Sequence, residues 1–244
     1  NCETRIHCSR RDGTSSKIAE PCSPGRIHFC ITWPPSGRAW DEIGRNGQAG
    51  SQMRTLILVA GMHRSGTSAF TGALTLAGAA LPADPMPANS ANERGFFESM
   101  PFMQLHDEIL ESASTDWRDW RAFPGNWHIG SAAASFRERA IELIEQQYGS
   151  APLVAIKDPR ICRFMPFWID AARQGGFLPR VVIPFRAPYE VAQSLATRDE
   201  MTVVEGLMLW LRHVLDAERD SRGLPRAFVS MENLLGDWKG ALDR

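Results

Sequence analysis

From residue 54 onward the chain alternates short, continuous apolar runs with longer amphipathic stretches; before that no period of 2 or 3.6 is sustained. The runs "TLILVA", "PLVAIKD", "RVVIPF" and "RAFVSM" have the composition of strands covered on both faces. Between them lie segments that read as helices. "GTSAFTGALTLAG" closes at Gly78, "MPFMQLHDEILES" places Met100, Met103 and Leu110 on one face, and Ser135 to Tyr148 turns Phe136, Ala140, Leu143 and Ile144 inward. "ICRFMPFWIDAARQ", "PYEVAQSLA" and a long segment from about Val203 to Arg219 complete the set. Strands separated by helices predict an α/β fold, a three-layer sandwich around a central parallel sheet. "LPADPMPANSANERG" holds too much Pro and Asn to be regular, and Asp116 to Trp127 is an irregular, Trp-rich stretch.

Residues 1–52 are rich in Gly, Ser, Pro and Arg and hold four of the five cysteines: Cys2, Cys8, Cys22 and Cys30. No C-x-x-C pair occurs among them, which argues against a zinc or redox motif. The expectation is a disordered tail or spurious N-terminal extension over 1–52, and one domain over 53–244. A formal net charge of −1 supplies no global field for nucleic acid or an anionic membrane surface, so anion recognition must come from placed charges. No apolar run approaches the ~20 residues of a membrane span, and the start lacks the pattern of a signal peptide. A soluble, cytoplasmic protein is expected.

In a parallel sheet ligands collect at the carboxyl ends of the strands. Three stretches follow strands there: Gly61 to Ser68, Lys157 to Arg160, and Arg186 to Pro188. In the first, Gly61, Gly66 and Ser68 match a P-loop, G-x-x-x-x-G-K-[ST], but Thr67 stands where that motif has lysine. A glycine-rich turn entering a helix still directs backbone N–H groups and the helix dipole at an anion. Arg64 adds a fixed cation, with Ser65, Thr67 and Ser68 beside it. Arg186 after the third strand, with Pro188 opening a helix, can share one phosphate with Ser194 on that helix.

These residues resemble the sulfotransferases that use 3'-phosphoadenosine 5'-phosphosulfate (PAPS). "GMHRSGTSAF" looks like their 5'-phosphosulfate loop, and "RAPYEVAQSL" is similar to their R-x-P-x-x-x-x-x-S element for the 3'-phosphate. "NERGFFES", "IKDPRIC" and "FVSMENLLGDW" resemble blocks of the bacterial branch, so the likeness spans about Arg54 to Trp238. It implies a PAPS-binding site of Arg64, Ser65, Gly66, Thr67, Ser68, Arg186 and Ser194. It also implies sulfuryl transfer to a hydroxyl or amine on a carbohydrate or small molecule, with no metal required. The C-terminal R-K-G element of the cytosolic enzymes has no match; Arg212 or Arg219 is a substitute, and truncation at the C-terminus is one reading.

Transfer needs a base. Glu98, between Phe97 and an apolar helix, is the first candidate, because an apolar setting raises a carboxyl pKa toward proton abstraction. His106 is the second. Lys157 is the candidate contact to the transferring sulfonate, with Asp158 holding Arg160 or the first loop. Trp117, Trp120 and Trp127 are candidate acceptor platforms. Two rivals stay open: a P-loop kinase, in which Asp158 holds magnesium, and a non-catalytic nucleotide-binding relative.

Overall fold

The computed structural model describes residues 53–87 and 95–242. The expectations for residues 1–52 and their cysteines fall outside the described residues. The described residues form an α/β fold around a four-stranded, all-parallel sheet. Its strands are β1 (Arg54–Val59), β2 (Leu153–Lys157), β3 (Phe177–Phe185) and β4 (Arg226–Ser230), in the order β2-β1-β3-β4. The helices are α1 (Thr67–Leu76), α2 (Met100–Ser112), α3 (Ser131–Tyr148), α4 (Met165–Gln174), α5 (Pro188–Asp199), α6 (Val203–Asp220), α7 (Met231–Gly236) and α8 (Trp238–Leu242).

β1 divides the core. Successive side chains of a strand point to opposite faces. Leu56 and Leu58 therefore pack among Leu105 of α2, Ile144 of α3 and Trp168 of α4, while Ile57 and Val59 pack among Phe70 and Leu74 of α1 and Leu234 of α7. Helices cover both faces, an arrangement consistent with a three-layer sandwich. Among the described residues no helix is long and apolar enough to cross a membrane.

Three elements differ from the sequence pattern. α2 turns Phe102, Leu105, His106, Ile109 and Leu110 inward and leaves Met100 42% exposed, so the methionine face is not the core face. The stripe through Phe102, Leu105 and Ile109 is a full i, i+3, i+7 face, and burying it removes more apolar surface from water. The segment 161–174 is not one helix. Asp158 caps a 3-10 turn (Pro159–Arg163) by accepting from the Arg160 backbone N–H at 2.8 Å, and α4 starts afresh at Met165. Pro166 enforces the break, since inside a continuous helix its ring would strike the carbonyl of residue 162. On α3, Phe136 and Leu143 are only partly buried; Ala133, Gln147 and Tyr148 join Ala140 and Ile144 in the buried face.

β1 hands over to the first loop at Gly61, where a Cβ would sit 2.5 Å from the Pro184 carbonyl oxygen on β3 and 2.9 Å from the Thr67 methyl. The first neighbour is backbone and cannot swing aside. Gly61→Ala is therefore expected to cost about 3 kcal/mol, the upper part of the range for overpacking a core, read as a lowered urea midpoint. A midpoint within experimental error of wild type would show that the sheet opens there freely.

Candidate active site

The carboxyl end of β1 lies level with that of β2, with Val59 opposite Lys157. The Gly61–Ser68 loop rises from this edge and turns tightly: Ser65 N–H donates to the Met62 carbonyl at 3.2 Å, and Arg64 and Gly66 adopt positive φ, 66° and 86°. A side chain at Gly66 would meet Met231 Sδ at 2.3 Å as well as an unfavourable backbone. Arg64 is not glycine, and its left-handed backbone costs on the order of 1 kcal/mol. Strain retained at a charged loop residue points to function.

The Arg64 guanidinium reaches across to α5, where its Nε donates to Ser194 Oγ at 2.8 Å. Two residues far apart in sequence thus meet in one site. Among the described residues, Arg64 forms no ion pair, unlike the cations around it. Lys157 pairs with Glu98, Arg160 with Asp158 and Asp107, Arg198 with Asp199, and Arg186 with Glu190. Partial burial, and then the neighbouring Arg198 and Arg186, pull the Arg64 pKa down. A partly buried cation without a carboxylate partner among the described residues is one that an anion would stabilise.

Beneath it lies a cleft of about 240 Å³ that Arg64, Thr67 and Ser68 share with Glu98, Lys157 and Trp117. Lys157 supplies a lysine to the loop from the end of β2. Its Nζ donates to Ser68 Oγ at 3.1 Å, to the Phe96 carbonyl at 2.9 Å and to the Glu98 carboxylate. Glu98 is held by strained backbone, for Phe97 before it has φ 56°, a rare state for an aromatic residue. Pairing of the flanking chain fixes it further, with Met86 N–H donating to the Glu98 carbonyl at 2.6 Å and Met100 N–H to the Asp84 carbonyl at 3.2 Å. Burial pushes the Glu98 carboxyl up, Lys157 pulls it back, and burial prevails.

Several sequence expectations sort differently. His106 is fully buried and does not line the cleft. Trp168 Nε1 donates to its Nε2 at 3.0 Å, and its Nδ1 lies 2.9 Å from Asp158 Oδ2. An indole N–H can only donate, so the imidazole proton sits at Nδ1 facing the carboxylate. Held between Trp168 and Asp158 and away from the cleft, His106 is a positioning residue for Asp158 and is not placed to act as the base. Burial alone would raise the Asp158 carboxyl, but Arg160 and His106 outweigh it and hold it far below the carboxylate range. Ser65 is buried under the loop and lines no part of the cleft. Arg186 does not share a group with Ser194; its Nε donates to Glu190 at 2.6 Å on the exposed rim. Arg212 and Arg219 both pair with Asp216 and do not line the cleft.

The tryptophans also part company. Trp117 lines the cleft, with the His63 ring 5.0 Å away and the Arg198 guanidinium 5.9 Å from its centroid. Trp120 is exposed on another face of the loop, and Trp127 packs into the core against Phe123, Phe136 and Phe167. His63 and Arg198 line the cleft without having been singled out from the sequence. Arg198 had a signal, lying four residues after Ser194 and so on the same face of α5. His63 lay in plain view in "GMHRSGTSAF". Burial, then Arg198 and Arg160, lower its pKa well below the usual value, so its ring is neutral at pH 7.

No protein-family model matches the chain, and no curated protein matches it either.

Proposed function

We propose that this protein is a sulfotransferase that moves a sulfuryl group from PAPS to a hydroxyl or amine of a small-molecule or carbohydrate acceptor. The observation that carries the reading is Arg64. It is a partly buried guanidinium on a strained glycine-loop backbone at the start of α1, bonded to Ser194 and lacking a carboxylate among the described residues. Such a group suits the 5'-phosphate of the donor, the oxygen of which gains charge as it leaves. The P-loop motif's lysine is replaced twice over in this reading, by Arg64 within the loop and by Lys157 from the neighbouring strand.

The fit extends to the rest of the cleft. The loop and the positive end of α1 receive the 5'-phosphosulfate. Ser194 and Arg186 approach the 3'-phosphate, for which Arg186 exchanges Glu190 for the ligand. Glu98 accepts the proton of the acceptor as the acceptor oxygen or nitrogen bonds to sulfur, and the bond from sulfur to the bridging 5'-phosphate oxygen breaks. Adenosine 3',5'-bisphosphate leaves with that electron pair, and Arg64 and Lys157 balance its charge. Trp117 forms one wall for the acceptor.

The kinase reading loses ground at Asp158. Arg160 and His106 occupy both of its oxygens, where a magnesium-holding carboxylate would face the nucleotide. The test is transfer of labelled sulfate from PAPS to a panel of hydroxyl and amine acceptors, beside calorimetric binding of adenosine 3',5'-bisphosphate. Transfer with micromolar-range binding is expected. Binding with no transfer to any acceptor favours a non-catalytic relative, and magnesium-dependent consumption of ATP overturns the proposal.

A further inference from the structure

We infer that α6 is the contact helix of a two-fold dimer, with a second copy of this chain as the partner. α6 is apolar on two opposite sides. Gly206, Leu209, His213 and Ala217 are buried inward. On the outer side Val204, Met208, Leu211 and Leu215 are 68%, 37%, 45% and 50% exposed. At 3.6 residues per turn these four fall within about 60° of one another, directly opposite His213. A helix apolar on both sides is suited to being covered on both, and a contiguous exposed strip marks a contact surface.

The spacing of the strip identifies what covers it. Steps of four, three and four read the same from either end and average the 3.5-residue repeat of a helix–helix seam. Two copies running antiparallel, with the axis between Met208 and Leu211, bring Met208 of one against Leu211 of the other and Val204 against Leu215. Both surfaces are then the same patch, as a two-fold contact requires. Charge agrees with the direction. Glu205 and Arg212 stand on one flank, each one residue beyond a member of the strip, so antiparallel pairing sets Glu205 of each copy beside Arg212 of the other. A parallel pair would set this flank against Leu207 and Val214 instead. Arg212 has capacity left: its Nε goes to the Trp120 carbonyl and one terminal nitrogen to Asp216, and the other has no partner among the described residues.

Sedimentation velocity of the full chain over a dilution series tests the dimer. The wild-type protein is expected to sediment as a dimer. Leu211→Glu and, separately, Leu215→Glu are expected to raise the dissociation constant about thirtyfold or more, the size of an interface hot spot. Both sites are solvent-exposed, so thermal melts should stay close to the wild-type monomer. The double variant Met208→Lys/Leu211→Glu places opposite charges across the axis and should regain much of the dimer. A wild-type chain that is monomeric at every concentration overturns the inference, as does a dimer that both glutamate variants leave intact. Loss in the single variants without recovery in the double overturns the antiparallel register.

Discussion

Arg64→Met is expected to lower kcat/KM for sulfuryl transfer about a thousandfold, the upper range for removing one group that meets charge developed in a transition state. Affinity for adenosine 3',5'-bisphosphate should fall less, about ten- to a hundredfold, since the product carries the same charge in a relaxed ground state. Stability should move the other way or not at all. Arg64 stands beside Arg198 and Arg186 without an ion-pair partner among the described residues, and its pKa is lowered, so the folded protein bears a cost for holding it charged. Removing it relieves that cost while losing one hydrogen bond to Ser194. Stopped-flow or steady-state kinetics beside a denaturant curve separates the two effects. Arg64→Lys keeps the charge and loses the forked reach to α5, so it should retain part of the activity. A variant that loses activity and stability together would mark Arg64 as a structural residue.

Much of this site was legible in the chain because its parts follow strands. Four apolar runs set the sheet, and the three stretches after β1, β2 and β3 meet at one edge because parallel strands end on one side. What periodicity does not encode is which side chain takes which partner. Ser194 and Arg186 both sit at the right distance along the chain to share a phosphate, yet Ser194 bonds Arg64 and Arg186 turns to Glu190. His106 stands in the sequence as a candidate base on an amphipathic helix, and spacing alone does not say which face of that helix is the inner one. Once Phe102, Leu105 and Ile109 take that face, His106 is carried inside to Asp158 and Trp168. The three tryptophans are likewise equivalent in sequence, and only the packing of the 116–127 stretch assigns one to the cleft, one to the surface and one to the core. Lys157 was legible as a lysine at the end of an apolar strand, which must either reach a carboxylate or leave a buried charge unpaired, but that the carboxylate is Glu98 is set by the packing.

Glu98→Gln is expected to lower kcat about a hundred- to ten-thousandfold with little change in donor affinity, the span ascribed to general-base catalysis. The pH profile carries the sharper test. A base works only when ionised, and burial raises the Glu98 pKa against the pull of Lys157. The acidic limb of kcat/KM should therefore lie above that of a free glutamate and vanish in the glutamine variant, leaving a low and flat rate. Stability runs in the opposite sense. A carboxyl with a raised folded pKa contributes stability that is fully present below its unfolded value and is lost as pH rises through the folded one. Ionisation that switches catalysis on thus costs folding free energy at the same residue, and the glutamine variant should lose that part of the pH dependence of its urea midpoint. Lys157 sets the size of the effect, because the variant leaves it the Ser68 hydroxyl, the Phe96 carbonyl and a neutral amide oxygen in place of a carboxylate. If the acidic limb persists in Glu98→Gln with a rate within about threefold of wild type, far short of what a positioned base contributes, Glu98 serves only to neutralise Lys157 and the proton leaves by another route.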